Sequence, residues 1–298
     1  MHIPSGMMNG EVCPVTAAVA ATGIAGAAWA ASKSGHKPDA MKFASVSALV
    51  FAGQMMNFPI SGGTSGHLLG GVLAAAVLGT PFGVLAIALV LGVQCLLFSD
   101  GGLAVLGANA LNMSLIGAGV GGLIAGRLRD RSALSLARLG FAAWVSVVLA
   151  SIACSLELAF AGIVPFSLSV PAMLGTHAVI GVGEAIITAL AFSLLCAPAA
   201  DSRKGALAPS VAAILIALVL SPLACQLPDG LESVAGKLGF LHALAPAFAA
   251  PLADYSFSVS LPAAVSTGLA GLAGVLAVFV MGRAISTSWN SLRRVRIS

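Results

Sequence analysis

Long apolar runs separated by short clusters of Gly, Pro and charge set the pattern of the chain. The runs lie at about 12–32, 43–58, 68–78, 82–98, 103–126, 138–162, 172–198, 206–225 and 259–282, and most are long enough to cross a bilayer as helices. The stretch from His67 to Phe98 reads either as a single helix of about 30 residues or as two helices. A break at Gly79-Thr80-Pro81 leaves a short third span of roughly 13 residues, about 20 Å of rise. Charge decides between them. With the break, the connections 33–42, 127–138 and 201–204 and the tail 283–298 share one side and hold 13 of the 14 Lys and Arg, leaving Lys237 opposite. A merged helix would separate the first of these groups from the rest, so the positive-inside rule selects the break, with the N-terminus outside and the C-terminus inside. The expected fold is all-α: a polytopic, multi-pass integral membrane protein with about nine transmembrane helices.

Composition supports this class and excludes others. Of 298 residues, 59% are hydrophobic and 8% charged, with a mean hydropathy of +1.04, far from a soluble domain. A membrane β-barrel would show short alternating segments instead of unbroken runs. The 35 glycines suit close helix contacts in lipid. The net charge of +4 comes without a basic patch interleaved with aromatics, so it reflects topology and a lipid bilayer partner, with no nucleic acid. Cys13, Cys95, Cys154, Cys196 and Cys225 stand singly, as small buried residues do. The segment before the first run holds Glu11 but no Lys or Arg, which argues against a cleaved signal peptide despite the cleavage-like Ala28-Trp29-Ala30. The longest outer connection, about 226–258, has room for a partial helix. A boundary near Asp201-Ser202-Arg203-Lys204 divides seven spans from two.

Candidate chemistry gathers at Pro59-Ile60-Ser61-Gly62-Gly63-Thr64-Ser65-Gly66-His67-Leu68-Leu69-Gly70-Gly71, read together with Met1-His2. The Gly-Thr-Ser-Gly stretch lets the backbone bend tightly and brings His67 towards another group. The topology puts that loop and the chain start on the same outer face. A free amine on Met1, the amide nitrogen of His2 and its Nδ1 can close two chelate rings on one metal, and His67 can fill the fourth position. Four planar nitrogens suit nickel(II) or copper(II) over zinc or magnesium. The bulk of His2 disfavours removal of the initiator, so the chelating amine is expected to be that of Met1. Cleavage within the first span would delete His2.

Met1-His2-Ile3-Pro4, Gly63-Thr64-Ser65-Gly66-His67-Leu68-Leu69-Gly70-Gly71 and Asn109-Ala110-Leu111-Asn112-Met113 resemble the CbiM/NikM family, the substrate-specific (S) components of energy-coupling-factor (ECF) nickel and cobalt importers. Pro228-Asp229-Gly230-Leu231-Glu232 resembles the PDGLE-type auxiliary component. The resemblance implies a seven-span metal-capturing component over residues 1–200 and a two-span auxiliary component over 201–298. It also implies Met1, His2 and His67 as the metal ligands and a place in the cell inner (plasma) membrane. The transported ligand would be nickel(II), or cobalt(II), with no cofactor. Its partners would be a transmembrane coupling (T) subunit and cytoplasmic ATPase subunits. Ser5 departs from the pattern, standing where many members carry an acidic residue. The chain itself has no Walker A pattern: around Gly236-Lys237, Leu231 and Leu238 occupy the first-glycine and hydroxyl positions. The expectation is therefore a transporter subunit and not an enzyme.

Other residues carry weaker signals. Gln94, Asp100, Asn109 and Asn112 bracket one outer connection and are candidates to orient a metal-bound imidazole, with interhelical hydrogen bonding as the plain reading. His177 and Glu184 lie two turns apart on one helix face, where a metal relay competes with ordinary bundle bonding. His36 sits in a basic inner connection and reads as solvated, and His242 is a lone outer histidine. The Gly-x-Ser-Gly pattern at Ser65, with His177 as base, offers an intramembrane serine protease as a less favoured alternative. A stand-alone secondary metal permease is another, although it would be expected to carry ionisable pairs deeper in its spans.

Overall fold

The structure is a computed structural model describing residues 2–126, 128, 130–196, 202–241 and 250–294, without the side chains of 202–205 and 289–294. The apolar runs become helices: α1 (Val12–Lys33), α2 (Ala40–Gln54), α3 (Gly71–Leu78), α4 (Thr80–Phe98) and α5, a composite over Leu103–Ala125 whose middle winds in wider π turns. They continue as α6 (Ala133–Phe160), α7 (Phe166–Leu195) and α8 (Ser202–Leu215), which runs on in irregular turns to Leu223. A short α9 (Gly230–Leu238) and a long α10 (Ala263–Arg294) complete the chain. Among the described residues, seven helices are long and apolar enough to cross a membrane. The second and third runs form the shorter α2 and α3, of 15 and 8 residues. Gly79, at φ +96°, and Pro81 in the first turn of α4 make the break between α3 and α4.

The second run stops earlier than its hydropathy suggests. Residues 57–67 leave the helix and form a hairpin, β1 (Asn57–Ile60) paired antiparallel with β2 (Thr64–His67), with Asn57 opposite His67 and Ser61-Gly62-Gly63 as the turn. This hairpin is an addition to the all-α expectation. At membrane depth such backbone persists only where protein covers it, and all four β2 residues are buried.

The cover comes from both sides. Helices α6 and α7 form an antiparallel pair, and α7 packs on β2. Helices α10 and α8 lie against α2, so Phe51, Phe98, Ala217, Ala270, Val275 and Val278 share one core. The C-terminal part is thus built into the molecule instead of hanging from it. Val15, Leu123, Phe141, Phe160, Leu190 and Val280 point outward and are exposed, as a lipid-facing surface requires.

Candidate metal centre

The hairpin places His67 at the end of β2, 6% exposed. Its Nδ1 lies 3.1 Å from the carbonyl of Leu68. A carbonyl only accepts, so Nδ1 carries the proton and Nε2 keeps its lone pair. Burial pushes the imidazole down to about 3, so it is neutral, the state in which a histidine binds metal. Two side chains fix the backbone just after it. The Glu184 carboxylate accepts from the amides of Leu69 (2.6 Å) and Gly70 (2.9 Å), and Gln54 donates to the Leu69 carbonyl (2.7 Å). His67 therefore hangs from a segment clamped on three backbone groups.

His2 reaches the same place from the chain start. The two imidazole rings lie 5.3 Å apart between centroids and 13° from parallel. Two imidazoles sharing one ion, each bound at about 2 Å, have centroids no more than roughly 6 Å apart. The observed spacing falls within that limit. Asn109 grips the neighbouring residue: its Oδ1 accepts from the Ile3 amide at 2.8 Å and its Nδ2 donates to the Ile3 carbonyl at 3.2 Å. Asp100 receives His2 directly, with Nδ1 to Oδ1 at 2.9 Å, while His2 Nε2 is buried with no hydrogen-bond partner. Chelation through His2 Nδ1 is therefore not preset: in this arrangement that nitrogen is on a carboxylate. Burial acts upward on Asp100, but His2 and the Tyr255 hydroxyl outweigh it and hold the carboxyl below its usual range.

The C-terminal part closes the third side. Pro228-Asp229 runs along the edge of β2, with the Ser65 amide donating to the Pro228 carbonyl at 2.9 Å. The Thr64 and Ser65 hydroxyls donate to the carbonyls of Pro228 and Leu227, each at 2.8 Å. Asp229 begins α9 with a reciprocal cap: its Oδ1 accepts from the Glu232 amide at 2.9 Å, and Glu232 Oε2 accepts from the Asp229 amide at 3.1 Å. Its other oxygen stands 3.8 Å from His67 Nε2. Burial would raise this carboxyl too, yet nearby positive charge and the Glu232 amide keep it low. A side chain at Gly230 would meet Ile180 at 2.7 Å and the His177 ring at 3.0 Å, so glycine is what allows this loop to seat. A cavity of about 510 Å³ is lined by His2, His67, Asp100, Asp229, Glu232 and Asp254, among others.

Chain start, hairpin and C-terminal loop thus approach one another around the imidazoles of His2 and His67, although among the described residues no group of three His, Cys, Asp or Glu is arranged to hold a metal ion. Residues 2–202 match the model of the cobalt uptake substrate-specific transmembrane region, CbiM. The chain belongs to the CbiM family. Residues 203–289 match the PDGLE domain, so this is a CbiM-family protein with a fused PDGLE part. It is 36% identical over 257 residues to a putative fused nickel transport protein NikMN of Archaeoglobus fulgidus, covering 82% of this chain and 85% of that one. The fused nickel transport protein NikMN of Rhodobacter capsulatus is 28% identical over 99% of both chains. A crystal structure of a truncated transition metal transporter superposes with a TM-score of 0.57 at 33% identity, covering 65% of this chain and 98% of the other.

Within this CbiM-family chain, the remaining candidates take varied places. Gln94 is fully buried and approaches Tyr255 Oη at 3.5 Å. Asn112 donates to Glu157 at 2.7 Å and belongs to the bundle instead of the pocket. His177 donates Nδ1–H to the Met173 carbonyl at 2.9 Å and leaves Nε2 buried without a partner. The Ser65 hydroxyl is committed to backbone carbonyls, and no Ser65 to His177 hydrogen bond forms a protease dyad. His36 is exposed. Met1 and His242 lie outside the described residues. Sequence reasoning missed Gln54, Asp229 as a wall of the site, and Tyr255. The Gln54 signal was a lone amide at the outer end of an apolar run. For Asp229 it was the Asp-x-x-Glu capping pattern.

Proposed function

We propose that the protein captures nickel(II), with cobalt(II) as the second choice, at its outer face. It carries the ion across the plasma membrane as the substrate-specific component of an ATP-driven energy-coupling-factor importer. The observation that carries this reading is the meeting of His2 and His67, from distant parts of the chain, on the wall of one cavity. The ligands are the Met1 amine, the backbone and ring nitrogens of His2, and Nε2 of His67. Nδ1 is the His2 nitrogen that closes a ring with its own amide, so the arriving ion takes it from Asp100. A nitrogen-only planar set favours nickel(II), and the similarity to fused nickel transport proteins points the same way. Residues 1–200 form the capture component and 201–298 its auxiliary component, with the N-terminus outside and the C-terminus inside. Energy comes from cytoplasmic ATPase subunits through a transmembrane coupling subunit.

The test is expression of the chain alone in an uptake-deficient cell. It should bind nickel yet accumulate little until coupling and ATPase subunits are supplied. Strong accumulation that survives loss of every candidate ATPase would contradict the reading and favour a secondary permease.

A further inference from the structure

The chain has a single tyrosine, and it stands beside the metal centre in an unusual backbone state. Asp254 and Tyr255 both have φ of +53°, a conformation that non-glycine residues keep only where their surroundings impose it. The amide of nearby Leu252 donates to the Leu97 carbonyl at 2.9 Å, which ties this turn to the end of α4. The Tyr255 ring stacks on Phe98 at 4.6 Å between centroids, and its hydroxyl donates to Asp100 Oδ2 at 2.6 Å. The other Asp100 oxygen faces His2 Nδ1 at 2.9 Å. Asp100 is itself displayed by a constrained turn, between Ser99 at φ +56° and Gly101 at φ +76°.

Packing on Phe98 needs only the ring, and phenylalanine would supply it. The hydroxyl is the part left to explain. We propose that Tyr255 is a positioning residue for the metal centre: it holds one oxygen of Asp100 so that the other keeps the His2 ring beside His67 until the ion displaces it. This assigns to the C-terminal part a direct role in shaping the N-terminal half of the site, and it rests on the metal-capture reading above. Before metal arrives, the Tyr255 to Asp100 to His2 chain fixes the His2 ring. For the ion to take Nδ1, the proton on that nitrogen leaves to water and Nε2 takes one up, so the ring stays neutral; Tyr255 then remains the partner that keeps the released carboxylate hydrogen-bonded in a buried place.

The test compares full-length wild type, Tyr255→Phe and His67→Ala in lipid nanodiscs, with nitrogen-15 in the histidines. Nickel(II) binding is read by calorimetry, and the metal-free imidazole resonances are read by NMR. Tyr255→Phe should raise the dissociation constant about tenfold, because the Asp100 carboxylate displaced by the ion would then lie buried without the Tyr255 hydroxyl as its partner, while keeping the stoichiometry. It should also shift the His2 Nδ1 resonance towards a weaker hydrogen bond and leave that of His67 in place. An affinity within twofold of wild type with an unmoved His2 resonance would overturn the proposal. Movement of the His2 and His67 resonances together would also overturn it, because that marks general loosening. If wild type binds no nickel, or His67→Ala binds like wild type, the capture reading fails instead. The metal-free His2 resonance still decides the role of Tyr255.

Discussion

The Nε2 of His67 stands 3.8 Å from the carboxylate of Asp229, and the two are joined through β2 by the hydrogen bonds of Thr64 and Ser65 to the Leu227-Pro228-Asp229 segment. Loop shape and ligand chemistry are therefore carried by different residues. His67→Ala should abolish high-affinity nickel binding. Ser65→Ala should retain most of it, weakening binding by less than about tenfold, because one hydrogen bond to a carbonyl is worth about 1 kcal/mol. Nickel calorimetry on both variants checks this. A protease activity lost in Ser65→Ala would instead support Ser65 as a nucleophile.

Glu184 is predicted to matter for binding although it cannot touch the ion. Its two oxygens each accept a backbone amide after His67, and glutamine offers one acceptor and one donor in their place. One amide would then face an N–H group, at a cost of about 1–3 kcal/mol. Glu184→Gln should raise the nickel dissociation constant by about tenfold or more, measured by calorimetry. An unchanged value would mean that the clamp does not position His67.

Acid should open the metal-free loop. The docked His67 imidazole is depressed to about 3, while an undocked one titrates near 6.5. Below pH ~6.5 the undocked state therefore binds more protons, and docking weakens by about 1.4 kcal/mol for each pH unit. Asp100 and Asp229 are held low, so what they contribute is lost only below about pH 4. Between those limits the part due to His67 is read against His67→Ala. Hydrogen exchange of the Ser65 to Leu69 amides, corrected for intrinsic rates, should show opening rise between pH 6 and pH 5 about tenfold more in wild type than in His67→Ala. Equal profiles in the two proteins would contradict it.

The charge asymmetry predicts where the termini lie. Reporter fusions after Arg131 and after Arg296 should both report cytoplasm. An external signal at either would contradict that orientation.

Much of this architecture can be read from the chain because lipid imposes it. Apolar runs must become helices, and a break at Gly79 follows from counting Lys and Arg. His67 stands out as an imidazole amid glycine and hydroxyl residues. The hairpin is hidden because its strands have four residues each, and Asn57 and Phe58 look like the end of an apolar helix. The seating of Asp229 beside His67 joins residues far apart in sequence, and no local pattern encodes it. The Asp229 to Glu232 capping box, by contrast, is a local signature and marks the start of α9. Tyr255 gives no sign in sequence, since the role inferred for it depends on which carboxylate its turn reaches.

The proposed site, unlike a plain histidine cluster, requires a free amine one residue from His2. Adding one Gly before Met1 keeps every side chain and moves that amine, and the added residue lies outside the bilayer, so folding and insertion should persist. The measurement is calorimetric titration of nickel(II) into the extended protein, its intact N-terminus confirmed by mass spectrometry, beside wild type and His2→Ala. The extension should weaken binding about as severely as His2→Ala, with loss of the absorption of planar nickel(II). Wild-type affinity in the extended protein would contradict it and remove the terminal amine from the site.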